Sequence, residues 1–212
     1  MAVDEDSDDS ELNSDFEQIF EWAAYGRPCA GERVSGDVAL TIPMGNKLLV
    51  VLIDVLGHGA EAHGLAKKME AYINDHPVAV PSTMIENLDK TFKGSRGSVA
   101  GCAVLDAHSD TIAFAGIGNP SFRILSSSQT VTLPVSAGII GAGIRSPVIH
   151  RARLLPGDVL IGCSDGVAER FQVSDYPQIF SHNIWAVARS VVKRFGKNHD
   201  DATCVAVRRL KS

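Results

Sequence analysis

The chain has 212 residues, 45% of them apolar and 21% charged, a globular composition long enough to bury one sizeable core. Its net charge is −5 and its aromatic content 6%, and no basic cluster exceeds Arg208, Arg209 and Lys211, which excludes the basic footprint of a nucleic-acid binder. No apolar run approaches the ~20 residues of a membrane helix, so no membrane partner is expected.

Nine acids and no Lys or Arg fall in the first 21 residues, so the body that follows is mildly basic. Residues 1–15 are expected to be a disordered acidic tail, and 16–212 a single domain. The tail lacks the basic start and apolar stretch of a secretory signal. Four cysteines (Cys29, Cys102, Cys163, Cys204) show no C-x-x-C spacing, and three lie in apolar runs. Reduced, buried thiols in a cytoplasmic protein are expected.

Phe16–Tyr25 reads as a short helix or strand. Asp37–Pro43 and Lys47–Asp54 read as a hairpin across Met44-Gly45-Asn46. After Gly57-His58-Gly59 the period changes: Leu65, Ala66, Met69, Tyr72 and Ile73 recur at helical spacing over Ala60–Asn74, and His76-Pro77 ends the helix. Ser82 is the expected N-cap of a second helix running to about Lys93. Short apolar runs follow at Val99–Leu105, Thr111–Ile117, Phe122–Leu125, Val131–Leu133, Val148–Leu154 and Val159–Cys163. Their connections are too short for helical crossovers, so antiparallel pairing is expected. A helix over Asp175–Arg194 buries Ile179, Ile184, Val187, Val191 and Val192, and Thr203–Arg208 is the last strand. This order points to an α+β domain with helices covering antiparallel sheets.

Acidic residues punctuate the ends of these strands. Asp37 follows Ser35-Gly36, Asp54 closes Leu48–Ile53, Asp165 stands in Ser164-Asp165-Gly166, and Asp200-Asp201 precede Ala202–Val207. Each alone is a common turn residue. Brought together they would repel, by ~4 kcal/mol for two unit charges ~4 Å apart at an effective dielectric of 20. A divalent cation relieves such repulsion, and an all-oxygen ligand set suits Mg²⁺ or Mn²⁺ rather than zinc or copper.

The ordered set SGD, D-x-x-GHG, SDG and DDAT resembles the PPM-type (type 2C) metal-dependent serine/threonine phosphatases, in particular their SpoIIE-like bacterial branch. Ala115–Pro120 (AGIGNP) and Ser136–Gly141 (SAGIIG) also resemble stretches of that branch, so the likeness spans about Tyr25 to Leu210. It implies an αββα sandwich of two antiparallel sheets flanked by helices, with two Mn²⁺ or Mg²⁺ ions at one edge. Carried over, Asp37 and Asp54 hold the metals, Asp54 bridging both, with the backbone carbonyl of Val55 as a further ligand. Asp165 and Asp200 complete the second ion's shell, and Asp201 is a lesser candidate because one member of the pair is expected to ligate. The implied reaction is direct attack on phosphorus by a hydroxide bridging the ions, releasing phosphate from phosphoserine or phosphothreonine. The implied partner is a phosphorylated regulatory protein, such as a STAS-domain or stressosome-like component. His58 lies four positions after Asp54, where the wider family has a histidine two positions after, at Leu56; it and His199 are lesser candidates for an acid. Arg27 and Arg33 are weak candidates for phosphate binding.

Two other readings compete. Gly162-Cys163-Ser164-Asp165-Gly166 fits the G-x-S-x-G nucleophile elbow of serine hydrolases, which requires a parallel sheet. A phosphatase-like binding module without turnover would retain the fold alone. No cysteine starts a C-x5-R motif, and no G-x4-G-K-[ST] loop is present.

Overall fold

The most apolar segment of the chain sets the architecture. In the computed structural model, which describes residues 19–168 and 172–211, this segment forms β3 (Lys47–Val55). Leu48, Val50 and Leu52 point into one core, while Leu49, Val51, Ile53 and Val55 point into another. Burial on both faces requires an uninterrupted apolar run, and each such side chain contributes about 1.5–3 kcal/mol relative to exposure. The acidic tail expected over 1–15 lies outside the described residues.

β3 pairs with β2 (Asp37–Met44) on one side and β4 (Ser98–Asp106) on the other; β5 (Thr111–Ile117) and β8 (His150–Arg153) complete a sheet of order β2-β3-β4-β5-β8. The second sheet runs β1 (Phe20–Arg27), β10 (Ala202–Arg209), β9 (Val159–Cys163), β6 (Ser121–Leu125), β7 (Thr130–Leu133). Every ladder between these strands is antiparallel, as expected. Phe114 and Phe122, with ring centroids 4.9 Å apart, lie in the core between the sheets. Helices α1 (Gly59–Asp75) and α2 (Pro81–Thr91) cover the outer face of the first sheet, and α3 (Ile184–Phe195) covers the second. The αββα sandwich is therefore present. Among the described residues no helix is long and apolar enough to cross a membrane.

Several boundaries differ from expectation. Of the stretch expected over Phe16–Tyr25, the part from Phe20 onward lies in strand β1, and residues 16–18 lie outside the described residues. Ser82 does not cap α2: the N-cap is Val80, and Pro81 takes the first helical position, where its fixed φ and missing N–H are no handicap. The helix expected over Asp175–Arg194 breaks into short 3₁₀ turns at Val173–Asp175 and Pro177–Phe180, then α3, whose Asn183 N-cap accepts from the Ala186 amide at 2.8 Å. Ile179, Ile184, Val187, Val191 and Val192 are nonetheless buried together. Val148–Leu154 shortens to β8, and Val148 is exposed. Gly118-Asn119-Pro120 is no hairpin turn, because it carries the chain from β5 in one sheet to β6 in the other.

The ring of Phe122 fills the space between two glycines, one from each sheet. A Cβ on Gly101 would stand 2.3 Å from the ring and one on Gly162 2.6 Å from it. Gly101→Ala is expected to destabilise by about 1–3 kcal/mol through overpacking. Urea unfolding monitored by fluorescence measures it, and an unchanged midpoint would refute this account of the inter-sheet core.

Candidate functional site

Strand register carries the acids to one edge. Asp37, first in β2, lies directly opposite Asp54, next to last in β3. Like charges in opposed positions destabilise a ladder, so this pair has a reason beyond pairing. In the other sheet Cys163 ends β9 opposite Cys204 near the start of β10, so Asp165 and Asp200 emerge side by side. Asp54, Asp165 and Asp200 line one cavity of about 220 Å³, with Leu56 and Val99 as apolar wall and Asn119 among its polar groups. Its described lining includes no basic side chain.

The electrostatics follow from that arrangement. Burial, reinforced by the charges of Asp37, Asp165 and Asp200, pushes the Asp54 carboxyl up to about 9, against an opposing hydrogen bond from the Asp165 backbone. Burial likewise raises Asp37 to about 7, although hydrogen bonds from Ser164 and Thr203 act to lower it. Asp200 is raised by partial burial and by Asp165 beside it. Carboxyls that hold protons at neutral pH are short of positive charge, and a divalent cation supplies it. The donor set is all oxygen and fits Mg²⁺ or Mn²⁺. Among the described residues no three His, Cys, Asp or Glu side chains already surround a single ion position.

Asp201 has different work. Its buried carboxylate accepts from the Cys29 amide at 2.8 Å and the Gly36 amide at 2.6 Å, joining the β10 entrance to the loop that leads into β2. Gly36 allows this approach, since a Cβ there would meet Ala62 Cβ at 2.8 Å and Asp201 Oδ2 at 3.4 Å. A Cβ on Gly166 would stand 1.7 Å from the Asp201 carbonyl oxygen. The glycine of SGD is thus required by the Ala62 and Asp201 side chains, and that of SDG by the backbone of the neighbouring strand's entrance in the same sheet.

Not every nominated residue faces the cavity. Asp37 lines an adjoining hollow with Ser35, His63, Lys67 and Thr203, and accepts from Ser164 Oγ at 2.6 Å. Val55 closes β3, its amide donating to Gly36 O at 3.3 Å. His58 is mostly exposed, stands outside the lining of the acidic cavity, and pairs through Nδ1 with Glu32 at 3.1 Å, while His199 is exposed. Arg27 donates to the carbonyls of Pro28, Lys197 and Asp200, so it braces the Asp200 loop rather than offering itself to phosphate; Arg33 is exposed. The nucleophile elbow fails on two counts: β9 lies in an antiparallel sheet, and buried Ser164 Oγ is engaged by Asp37 and the Thr203 amide, with no histidine partner described. His182 bonds Tyr176 Oη instead.

Two contributors went unread in the sequence. Asn119 donates to Asp165 Oδ2 at 2.8 Å, and Lys197 Nζ holds the Asp165 carbonyl at 2.5 Å. The AGIGNP stretch was the available signal for Asn119; Lys197 carries none.

The model for stage II sporulation protein E (SpoIIE) matches residues 44–210. Solved structures agree on the fold. One, from the bacterial stressosome described as a modular system adapted to control secondary messenger signalling, superposes with a TM-score of 0.80 at 23% identity, covering 89% of this chain and 99% of that one. RsbX in complex with magnesium gives 0.73 at 20% identity, covering 91% and 96%. The PP2C phosphatase domain of SpoIIE from Bacillus subtilis, with a fragment of its regulatory domain, gives 0.71 at 21% identity, covering 89% and 63%.

Three substitutions separate strain from scaffolding. Because the folded Asp54 carboxyl keeps its proton up to about 9 while the unfolded one loses it near its ordinary value, the folded state binds more protons between them. The metal-free protein should therefore lose stability at this site as pH rises from about 4 to about 9, with the loss complete above that window. In chelator-treated protein Asp54→Asn should melt above the parent at about pH 8 and level with it near pH 4; a lower melting temperature at the higher pH would show that Asp54 is not strained. Asp200→Asn should weaken Mn²⁺ binding by calorimetry without lowering the melting temperature. Asp201→Asn should lower it, since one of two buried amides loses its acceptor at a cost of about 1–3 kcal/mol.

Proposed function

Because this chain belongs to the SpoIIE family of PPM-type phosphatases, we propose that it hydrolyses phosphoserine or phosphothreonine on a partner regulatory protein, using two divalent cations, Mn²⁺ or Mg²⁺. The observation that carries the reading is one cavity holding three carboxylates from two sheets, with Asp54 pushed up to about 9 by burial and by its acidic neighbours. Residues 16–212 form the phosphatase domain in this reading.

Asp37, Asp54, the Val55 carbonyl, Asp165 and Asp200 would hold the ions. When bound, they lower the pKa of a water and neutralise charge building on the phosphoryl oxygens. The protein's own contribution is to hold these oxygens in place. Ser164 fixes Asp37, Asn119 fixes one oxygen of Asp165, and Asp201 ties the loop before β2 to the start of β10. Leu56 and Val99 limit water in the cavity, which strengthens every charge interaction inside it. Water attacks phosphorus, the P–O bond to the serine or threonine oxygen breaks, and that oxygen leaves with a proton. Neither His58 nor His199 lines the cavity, so a proton delivered by water suits this arrangement better than one from histidine. Neighbours from the stressosome and RsbX support a regulatory protein as the substrate, and a STAS-type stress regulator is our reading.

Purified protein with Mn²⁺ should release phosphate from a phosphoserine protein, and a chelator should abolish the release. Asp54→Asn should cut turnover by roughly 10² or more, whereas Ser164→Ala should retain most activity. No release from any phosphopeptide or phosphoprotein, with Mn²⁺ demonstrably bound, would leave a binding module in place of an enzyme.

A further inference from the structure

An acidic cavity must admit a phosphomonoester, itself a dianion, and cations bound at the carboxylates do not alone orient it. Basic side chains close to the site are mostly engaged. Arg27 is held by three carbonyls and Lys197 by that of Asp165. Arg96 is placed differently. It sits in the turn between α2 and β4, flanked by Gly94 and Gly97 at φ +77° and +91°. The turn is tied to the segment after Asp54 by the Leu56 amide, which donates to Gly97 O at 3.1 Å.

The guanidinium lies over Gly57, a residue of the cavity wall. Its Nη2 stands 2.6 Å, and its Cζ 3.5 Å, from where a Cβ on Gly57 would be. Gly57, at φ +80°, thus serves both the turn and the room the guanidinium needs. The described ionic partner of Arg96 is Glu61, at 3.5 Å and with a side chain 92% exposed. A long, solvated pair of this kind contributes too little to make Arg96 a structural tether. A planar fork of N–H donors matches two phosphoryl oxygens, and exchanging Glu61 for a dianion sacrifices little.

We propose that Arg96 binds the phosphoryl group of the substrate at the mouth of the cavity, across Gly57. The assignment rests on the phosphatase reading of that cavity and adds to it the residue that receives the phosphate.

Arg96→Ala and Arg96→Lys are compared with the parent, all saturated with Mn²⁺, on phenyl phosphate and on a phosphoserine peptide, with inorganic phosphate as inhibitor. Loss of one charge-assisted contact at a partly exposed site should raise KM about tenfold for both substrates and weaken phosphate inhibition by a similar factor. With Arg96→Ala, kcat should stay within about twofold, as expected when binding common to ground and transition states is lost. Arg96→Lys should recover part of the loss. Unchanged KM and unchanged phosphate inhibition overturn the proposal. So does a rise in KM confined to the peptide, which would place the contact on the protein rather than on phosphate, or a fall in kcat and melting temperature at constant KM, which would make Arg96 structural. If the parent turns over neither substrate, the phosphatase reading fails; calorimetric titration of inorganic phosphate into the Mn²⁺-loaded parent and Arg96→Ala then decides the role of Arg96 by itself.

Discussion

Mutual repulsion among buried carboxylates is the constraint on which this structure turns. Asp54 faces Asp37 across one ladder and shares its cavity with Asp165 and Asp200 from the other sheet. No fold places such groups together for stability, because each raises the cost of ionising the next. The arrangement is tolerable when protons or cations occupy it, and only cations leave the carboxylates charged and able to ligate. Stability at this edge is thereby exchanged for a place where phosphate chemistry can occur.

Holding that edge requires the two sheets to stay in register with each other, and among the described residues no ladder joins them. Their inner faces meet through Phe114 and Phe122, and Phe122 reaches Gly101 and Gly162 on opposite sheets. At the site the join becomes polar: Asp201 accepts from Cys29 and Gly36, and Ser164 donates to Asp37. Gly36 leaves room for Ala62 and the Asp201 carboxylate, and Gly166 lets the backbone at Asp201 pass close by within the second sheet. The residues that look most like turn formers therefore make the close contacts at this edge. This explains why adjacent acids differ in role: Asp200 faces the cavity, while Asp201 spends both oxygens on the scaffold.

Much of this was legible beforehand, for local reasons. Period and punctuation are written in consecutive residues, so the β2–β3 hairpin, α1, β9 and the last strand were found nearly in full. The expectations that failed depended on competition. Pro81 outcompeted Ser82 at the start of α2, and Asn183 captured the helix start expected at Asp175. Gly118-Asn119-Pro120 has the composition of a hairpin turn, yet β5 and β6 belong to different sheets. Turn chemistry states that the chain reverses and is silent about the layer it enters.

By itself the amino-acid sequence determined the αββα class, the acids at strand ends and the family to which they belong, because hydrophobic period and motif order are properties of the linear chain. The tertiary structure alone decided where each acid lies. Asp54, Asp165 and Asp200 came to share a cavity, Asp37 turned toward a neighbouring hollow, Asp201 joined the scaffold, and His58 paired with Glu32 outside the cavity lining. It also laid Arg96 over Gly57, 39 residues earlier in the chain. Charge, hydrogen bonding and burial act through space, and residues far apart in sequence become neighbours only once both sheets are packed.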